Sequence, residues 1–168
     1  MGYTTYFNGS FNLDKTLSSE HKLYLNTFNN IRHMKRDIDK LQNLPDPVRE
    51  NVGLPIGKDG EYYVGSTNDY GQDKTEDVIN YNSPPAYQPD LWCKWVPSSD
   101  GNEIVWDEAE KFYGYTEWIE YLIEHFLQPW GYILNGEVNW EGEDHSDIGI
   151  IIVKDNVVTT KIGKIVYE

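Results

Sequence analysis

The alternation of apolar and polar positions predicts two strands of similar build near the two ends of the chain. From residue 132 to residue 141 the even positions are apolar or glycine and the odd positions are mainly polar, which is the two-residue period of a half-buried strand. The pattern apolar-Asn-Gly-x-apolar-Asn-apolar in Leu134 to Trp140 also occurs in Phe7 to Leu13. The two segments are therefore predicted to be strands of one sheet, and they are candidates for neighbouring positions in it.

Two other segments have the three- to four-residue apolar spacing of amphipathic helices. The first starts with Ser18 as its N-cap and continues to Pro45, and the second starts near Thr116 and stops at Pro129. Arg32 and Arg36 fall on the polar side of the first helix, where one turn would place them side by side. His33, in the same stretch, is predicted to lie on the surface.

The remaining segments complete an α+β pattern. Residues 43–97 are rich in Gly, Pro, Asn and aromatic residues, which predicts a long irregular layer held in place by its aromatic side chains. Asp-Gly and Asp-Asn turn signals indicate hairpins within residues 91–106 and 147–160. We therefore expect a single α+β domain over residues 1–168, with an antiparallel or mixed sheet and two helices on one of its faces.

Composition supports a folded chain and adds a marked asymmetry of charge. The 168 residues are 39% hydrophobic and include 13 Tyr, 6 Trp and 5 Phe, so disorder is not expected despite a net charge of −14. Between Asp100 and Asp147 there are thirteen acidic residues and one basic residue, Lys111. Such a field repels nucleic acids and membrane surfaces and favours cationic partners. A merely solubilising acidic surface is the other interpretation.

Targeting and redox signals point to the cytoplasm. Cys93 is the single cysteine, so no internal disulfide can form, and its neighbours Trp92 and Trp95 favour a buried, unreactive thiol. The first ten residues lack the pattern of a signal peptide, and no apolar run approaches the roughly 20 residues of a membrane helix. We expect a soluble cytoplasmic protein without membrane association.

No motif with established chemistry is present in the sequence. The glycine-rich segments lack the spacing of a phosphate-binding loop, and there is no nucleophile elbow, zinc-binding His-Glu-x-x-His or cysteine pair. The acidic turn from Glu141 to Asp147 offers oxygen ligands but lacks the spacing of a calcium loop, so a charged hairpin end is favoured and no metal site is expected. The sequence favours a non-enzymatic protein without a cofactor, although catalysis by a pair of carboxylates stays open.

The acidic residues themselves supply the first functional hypothesis, in which the chain binds a basic protein partner. We expect seven of them to face outward on the second helix, the strand after it and the acidic turn: Glu117, Glu120, Glu124, Glu137, Glu141, Glu143 and Asp144. Carboxylates fixed at regular spacings could imitate the phosphates of a nucleic acid to a basic nucleic-acid-binding host protein, without direct contact of this chain with nucleic acid.

A second hypothesis is a small anionic ligand. Arg32 and Arg36 could hold a carboxylate or phosphate together, and aromatic residues of the irregular layer could enclose it, in a binding protein or a hydrolase. The residues proposed for this site are Arg32, Arg36, Tyr62, Tyr70 and Trp92. A third possibility, a subunit of an assembly, would require a large apolar self-interface; the oligomeric state is not indicated by the sequence.

Four segments carry a resemblance to a known group of proteins. They are GYTTYFNGSFNLDKTLSSEHKLYL, IRHMKRD, DPVRENVGLPIGKDGEYYVGS and PWGYILNGEVNWEGED. Through them nearly the whole chain resembles an uncharacterised family of small proteins from bacteriophage and bacterial genomes. The resemblance implies a cytoplasmic phage or prophage accessory protein that contacts a host component, and it assigns no activity, cofactor or site residue.

Overall fold

The structure, a computed structural model, describes residues 2–168 and has the α+β architecture that the sequence predicts. Its contacts divide the chain into two compact units. The sheet unit contains the residues up to Leu17 together with Lys94–Glu168, and the loop unit contains Ser18–Cys93. The extent of the single domain over residues 1–168 stays a prediction.

The sheet unit is built on six antiparallel strands. They are β1 (Thr5–Leu13), β4 (Trp95–Pro97), β5 (Glu103–Trp106), β6 (Leu134–Gly142), β7 (Ile148–Lys154) and β8 (Val157–Ile162), in the spatial order β4-β5-β1-β6-β7-β8. The predicted hairpins are confirmed, because β4 pairs with β5 and β7 with β8. Asp155 and Asn156, both with positive φ, form the second turn.

The two strands with the shared Asn-Gly pattern are neighbours and pair over their whole length. All nine residues of β1 oppose residues of β6, from Thr5 with Gly142 to Leu13 with Leu134. The two copies of the pattern run antiparallel, so each asparagine of one copy faces an asparagine of the other. Gly9 and Gly136 have φ values of +114° and +145°, and a Cβ on either would lie 2.5 or 2.7 Å from a carbonyl oxygen of the opposite strand. Glycine is therefore required at both positions.

One face of this sheet carries the core of the sheet unit. Phe7 of β1 makes edge-to-face contacts with Trp95, Phe112 and Tyr115, and Tyr115 also contacts Trp140 of β6. Tyr115 begins α4 (Tyr115–Leu122), which continues into a π-helical turn at Ile123–Leu127. The buried side of α4 and this turn comprises Trp118, Ile119, Tyr121, Leu122, Ile123, Phe126 and Leu127. The helix thus covers the face on which Phe7 and Trp140 lie.

The loop unit contains short elements and long irregular connections. They are α1 (Ser19–Asn29), β2 (Lys35–Arg36), α2 (Ile38–Leu41), α3 (Pro47–Glu50), β3 (Val78–Asn80) and two 3₁₀ turns at Lys58–Gly60 and Asn68–Gly71. Strands β2 and β3 form a separate two-stranded ladder. Buried side chains of Tyr24, Leu25 and Phe28 on α1 belong to the core of this unit.

The first helix is much shorter than the sequence predicts. Ser18 caps it as expected, with its Oγ accepting from the amide of His21 at 3.2 Å, but α1 ends at Asn29 and not near Pro45. Beyond this point the backbone amides of Arg32, His33 and Lys35 donate to carbonyls of residues 70, 91 and 83. Hydrogen bonds to the irregular segment thus replace helical ones, and tertiary context overrides the apolar spacing.

We expect Gly136→Ala and Gly9→Ala each to lower the free energy of unfolding by more than about 2 kcal/mol, because an added Cβ forces β1 and β6 apart. Gly53→Ala is the matched control, since Gly53 also has a positive φ of +72° but no atom of the described residues lies within 4 Å of its added Cβ. That control should lose only about 1 kcal/mol from backbone strain. Urea unfolding measures all three; equal losses would contradict the close approach of the strands.

Candidate functional site

The face of the sheet opposite α4 forms a regular grid of side chains, which we call the outer face. Register places Tyr6, Glu141 and Ile148 in one row across β1, β6 and β7. The next row contains Asn8, Asn139, Ile150 and Lys161, and the third contains Ser10, Glu137, Ile152 and Thr159. A column of half-buried isoleucines on β7 therefore runs beside a column of carboxylates and amides on β6.

A depression of about 570 Å³ lies over the first two rows of this grid. Its lining includes Tyr6, Asn8, Asn139, Glu141, Ile148, Ile150 and Lys161. Tyr6 is 58% exposed and stands at one border. An exposed aromatic ring and apolar side chains surrounded by polar ones are typical of protein-binding surfaces.

The two glutamates of β6 on the outer face form no ion pair with any residue that the structure describes. Both Glu137 and Glu141 are exposed. Four residues of extended strand separate them, a distance of about 14 Å, with Asn139 between them. Lys154 on β7 and Lys161 on β8 also belong to the outer face, so its positive charge lies on these two strands and the negative charge of Glu137 and Glu141 lies on β6.

The acidic residues of the helix lie on the other side of the sheet. Glu117 and Glu120 are exposed on α4 and Glu124 on the π-helical turn, while the buried side of this segment covers the inner face of the sheet. Glu137 and Glu141 point away from that inner face because side chains alternate along β6. One flat partner therefore cannot contact both rows, and the outward acids form two separate surfaces.

The acidic side chains of the turn after β6 accept hydrogen bonds from other groups of the sheet unit. The amide of Thr4 donates to Glu143 at 2.6 Å, and Ser146 donates to Asp144 from its amide and its hydroxyl. Hydrogen bonds from Ser146 hold the pKa of Asp144 below its usual value. No group of three or more His, Cys, Asp or Glu side chains suited to a metal ion occurs in residues 2–168. Glu143 and Asp144 therefore order the turn.

The paired arginine clamp does not form. Arg36 lies on β2, and its Nη1 donates to the carboxylate of Asp77 at 2.5 Å, with both side chains only 4% exposed. Arg32 stacks on Tyr81 at 4.0 Å and donates through Nε to the Tyr81 carbonyl. The expected clamp assumed a helix through residues 32–36, and without that helix each guanidinium has its own partner in the loop unit.

The aromatic residues expected near this clamp are dispersed in the loop unit. Tyr62 and Trp92 are half-buried, whereas Tyr70 is 65% exposed on a 3₁₀ turn. The carbonyl of Tyr62 accepts a hydrogen bond from Tyr24. These rings contribute to the order of the irregular layer, and the cavity of about 810 Å³ within the loop unit is not lined by Arg32, Arg36, Tyr62 or Trp92.

His33 is buried and not on the surface as expected. It is 4% exposed, its Nε2 donates to the carbonyl of Phe28 at 2.9 Å, and its ring lies 4.2 Å from the Phe28 ring. Burial lowers the pKa of His33 from 6.5 to about 3, and the positive charge of Arg36 adds to the effect. The imidazole is therefore neutral near pH 7 and serves as a hydrogen-bonded core residue. Cys93 is buried, as the sequence predicts.

Comparison with other proteins identifies no relative. No protein-family model, curated protein or solved structure matches the chain. Among the described residues, no helix is both long enough and apolar enough to cross a membrane. Sequence reasoning missed the isoleucine column of β7, although the run Ile148-Gly-Ile-Ile-Ile-Val-Lys154 carries it, because a continuous apolar strand does not reveal that one face is open.

We expect the buried His33 to make folding sensitive to acid. The unfolded state, with a pKa near 6.5, binds a proton as the pH falls below that value, whereas the folded state does not until about pH 3. Stability from this group is therefore complete above pH 6.5 and is lost progressively as the pH falls towards 3, by about 2 kcal/mol between pH 7 and 5. Urea unfolding at both pH values measures the loss.

The variant His33→Gln is the control for this pH dependence. It keeps a side-chain donor for the Phe28 carbonyl but has no titratable ring, so its stability should change less between pH 7 and 5 than that of the parent protein. An equal change in both proteins would assign the acid sensitivity to other groups.

Proposed function

We propose that this chain is a non-enzymatic binding protein that docks a basic protein partner on the outer face of its sheet. The observation that carries the proposal is the position of Glu137 and Glu141, which form no ion pair with another described residue and lie beside the half-buried isoleucines of β7. Apolar contact with the isoleucine column would supply binding energy, and the two carboxylates would select and orient a cationic surface.

The overall charge of the sheet unit supports the same partner. This unit contains sixteen acidic and six basic residues, whereas the loop unit contains twelve and eight. A fixed negative field accelerates the encounter with basic proteins and repels nucleic acids and anionic membranes. Together with the resemblance to phage and prophage proteins, this charge supports a cytoplasmic accessory role in which a basic host protein is bound and thereby inhibited.

Imitation of nucleic acid is the narrower form of this proposal. It requires that the partner place cationic groups used for phosphates over Glu137 and Glu141. The roughly 14 Å between the two glutamates, with the neutral Asn139 between them, gives two fixed charges and not a continuous phosphate-like row. Competition by duplex DNA for the same partner would support imitation, and its absence would leave docking of a basic protein without mimicry.

The test is affinity capture from bacterial lysate with three forms of the full chain. We expect Glu137→Gln combined with Glu141→Gln to weaken capture of the specific partner roughly tenfold, because two unscreened contacts to cationic groups are lost. The matched control neutralises Glu117, Glu120 and Glu124 to Gln, which changes the net charge at least as much but on the helix surface. Quantitative mass spectrometry at increasing salt measures recovery.

Two outcomes would contradict the proposal. Equal recovery of the same partner by the parent and by the sheet double variant would show that the outer face is not part of the interface. Loss of capture by the helix variant alone would move the interface to α4. All five substitutions of the two variants are at exposed positions, so circular dichroism should show the same unfolding temperature for all three forms.

A further inference from the structure

A cleft of about 810 Å³ opens within the loop unit and is distinct from the outer face of the sheet. Segments within residues 40–44, 63–68 and 74–77 line it. Its volume falls in the range of small-molecule sites in proteins. None of the acidic residues of the outer face lines this cleft.

One wall of the cleft is fixed by the buried ion pair between Arg36 and Asp77. The Thr75 hydroxyl donates to the second carboxylate oxygen of Asp77, and the Asp77 carbonyl accepts from the amide of Asp37 at 2.8 Å. Burial alone would raise the pKa of Asp77, but hydrogen bonds from Thr75 and Arg36 outweigh it and hold the pKa below its usual value. The negative charge of Asp77 is therefore already satisfied and does not repel an anion in the cleft.

Tyr63 presents a buried phenol on the lining of this cleft. The residue is 7% exposed, and its ring lies 5.1 Å from the Arg36 guanidinium. No other described residue hydrogen-bonds its hydroxyl, and burial raises the pKa of Tyr63, so the hydroxyl remains a donor at neutral pH. The hydroxyl is not one of the enclosed polar atoms of the described residues that lack a partner, so it is open to solvent, and a molecule bound in the cleft can accept its hydrogen bond in place of water.

Two lysines give the cleft a positive character that is unusual in this acidic chain. Lys40 donates to the carbonyl of Glu76, and the Nζ of Lys74 lies 4.6 Å from the centre of the Tyr81 ring. No ion pair of the described residues involves either ammonium group. Since Asp77 is neutralised by Arg36, only the exposed Glu76 among the lining residues opposes the two lysines.

We propose that this cleft binds a small organic anion. The Tyr63 hydroxyl donates to the ligand, Lys40 and Lys74 hold its carboxylate or phosphate group, and the apolar part lies against Leu44. The volume exceeds what one inorganic ion fills, and Leu44, which is 38% exposed, offers an apolar surface to a ring. This site differs from the arginine clamp expected from the sequence. Arg36 does not line the cleft, and its role is to neutralise the charge of Asp77.

The test uses phenyl phosphate and benzoate as probes, with neutral benzamide as the matched control ligand. In an NMR titration of the ¹⁵N-labelled full chain at millimolar probe, we expect shifts of amides within residues 63–68 and 74–77. Tyr63→Phe and Lys74→Ala should each weaken binding of the anion roughly tenfold. Lys58→Ala is the control variant, because Lys58 is exposed beside Tyr87 and lies outside the cleft lining.

A tighter response to phenyl phosphate than to benzoate would identify a phosphate ligand, and the reverse a carboxylate; either supports the site. No shift with either anion, shifts outside these segments, or equal binding of benzamide would overturn it.

Unfolding temperature gives an independent readout. Tyr63→Phe should leave it unchanged or raise it, whereas Tyr24→Phe, which removes a hydroxyl that donates to the Tyr62 carbonyl at 2.9 Å, should lower it. A lowered temperature for Tyr63→Phe would show that its hydroxyl is already satisfied.

Discussion

The close pairing of β1 with β6 is the constraint on which the sheet unit depends. The first strand of the chain meets a strand that follows more than a hundred residues later, and the match holds over nine residue pairs. Gly9 and Gly136 make this possible, because each leaves room for a carbonyl oxygen of the opposite strand. The repeated Asn-Gly pattern is thus a device for bringing two backbones together, and the hairpins β4–β5 and β7–β8 extend the sheet on either side of it.

This pairing also determines which side chains can meet a partner. Strand alternation sends Phe7 and Trp140 to the face covered by α4, and it sends Tyr6, Glu137 and Glu141 to the outer face. The same alternation separates the strand carboxylates from those of α4. The negative charge of these carboxylates is therefore divided between the outer face of the sheet and the exposed side of α4. Of these two surfaces, the outer face combines its charge with apolar side chains.

Local patterns predicted the sheet unit well and the loop unit poorly, for a physical reason. The period of β6, its Asn-Gly repeat in β1 and the Asp155-Asn156 turn depend on neighbouring residues, so the sequence carries them directly. The ending of α1 and the burial of His33 and Arg36 depend on carbonyls and carboxylates that lie 38 to 58 residues further along the chain. Spacing alone cannot reveal such partners, and so the sequence placed Arg32 and Arg36 side by side on one helix, whereas each has its own partner in the loop unit.

Amide hydrogen exchange of the native protein tests the central role of the β1–β6 pair most directly. If this pair holds the sheet unit together, the interstrand amides of β1 and β6 will exchange only through global unfolding and will be the slowest in the unit, while amides of the edge strands β4 and β8 exchange through smaller openings. Exchange of β1 and β6 amides at rates equal to those of β8 would contradict this account of the fold.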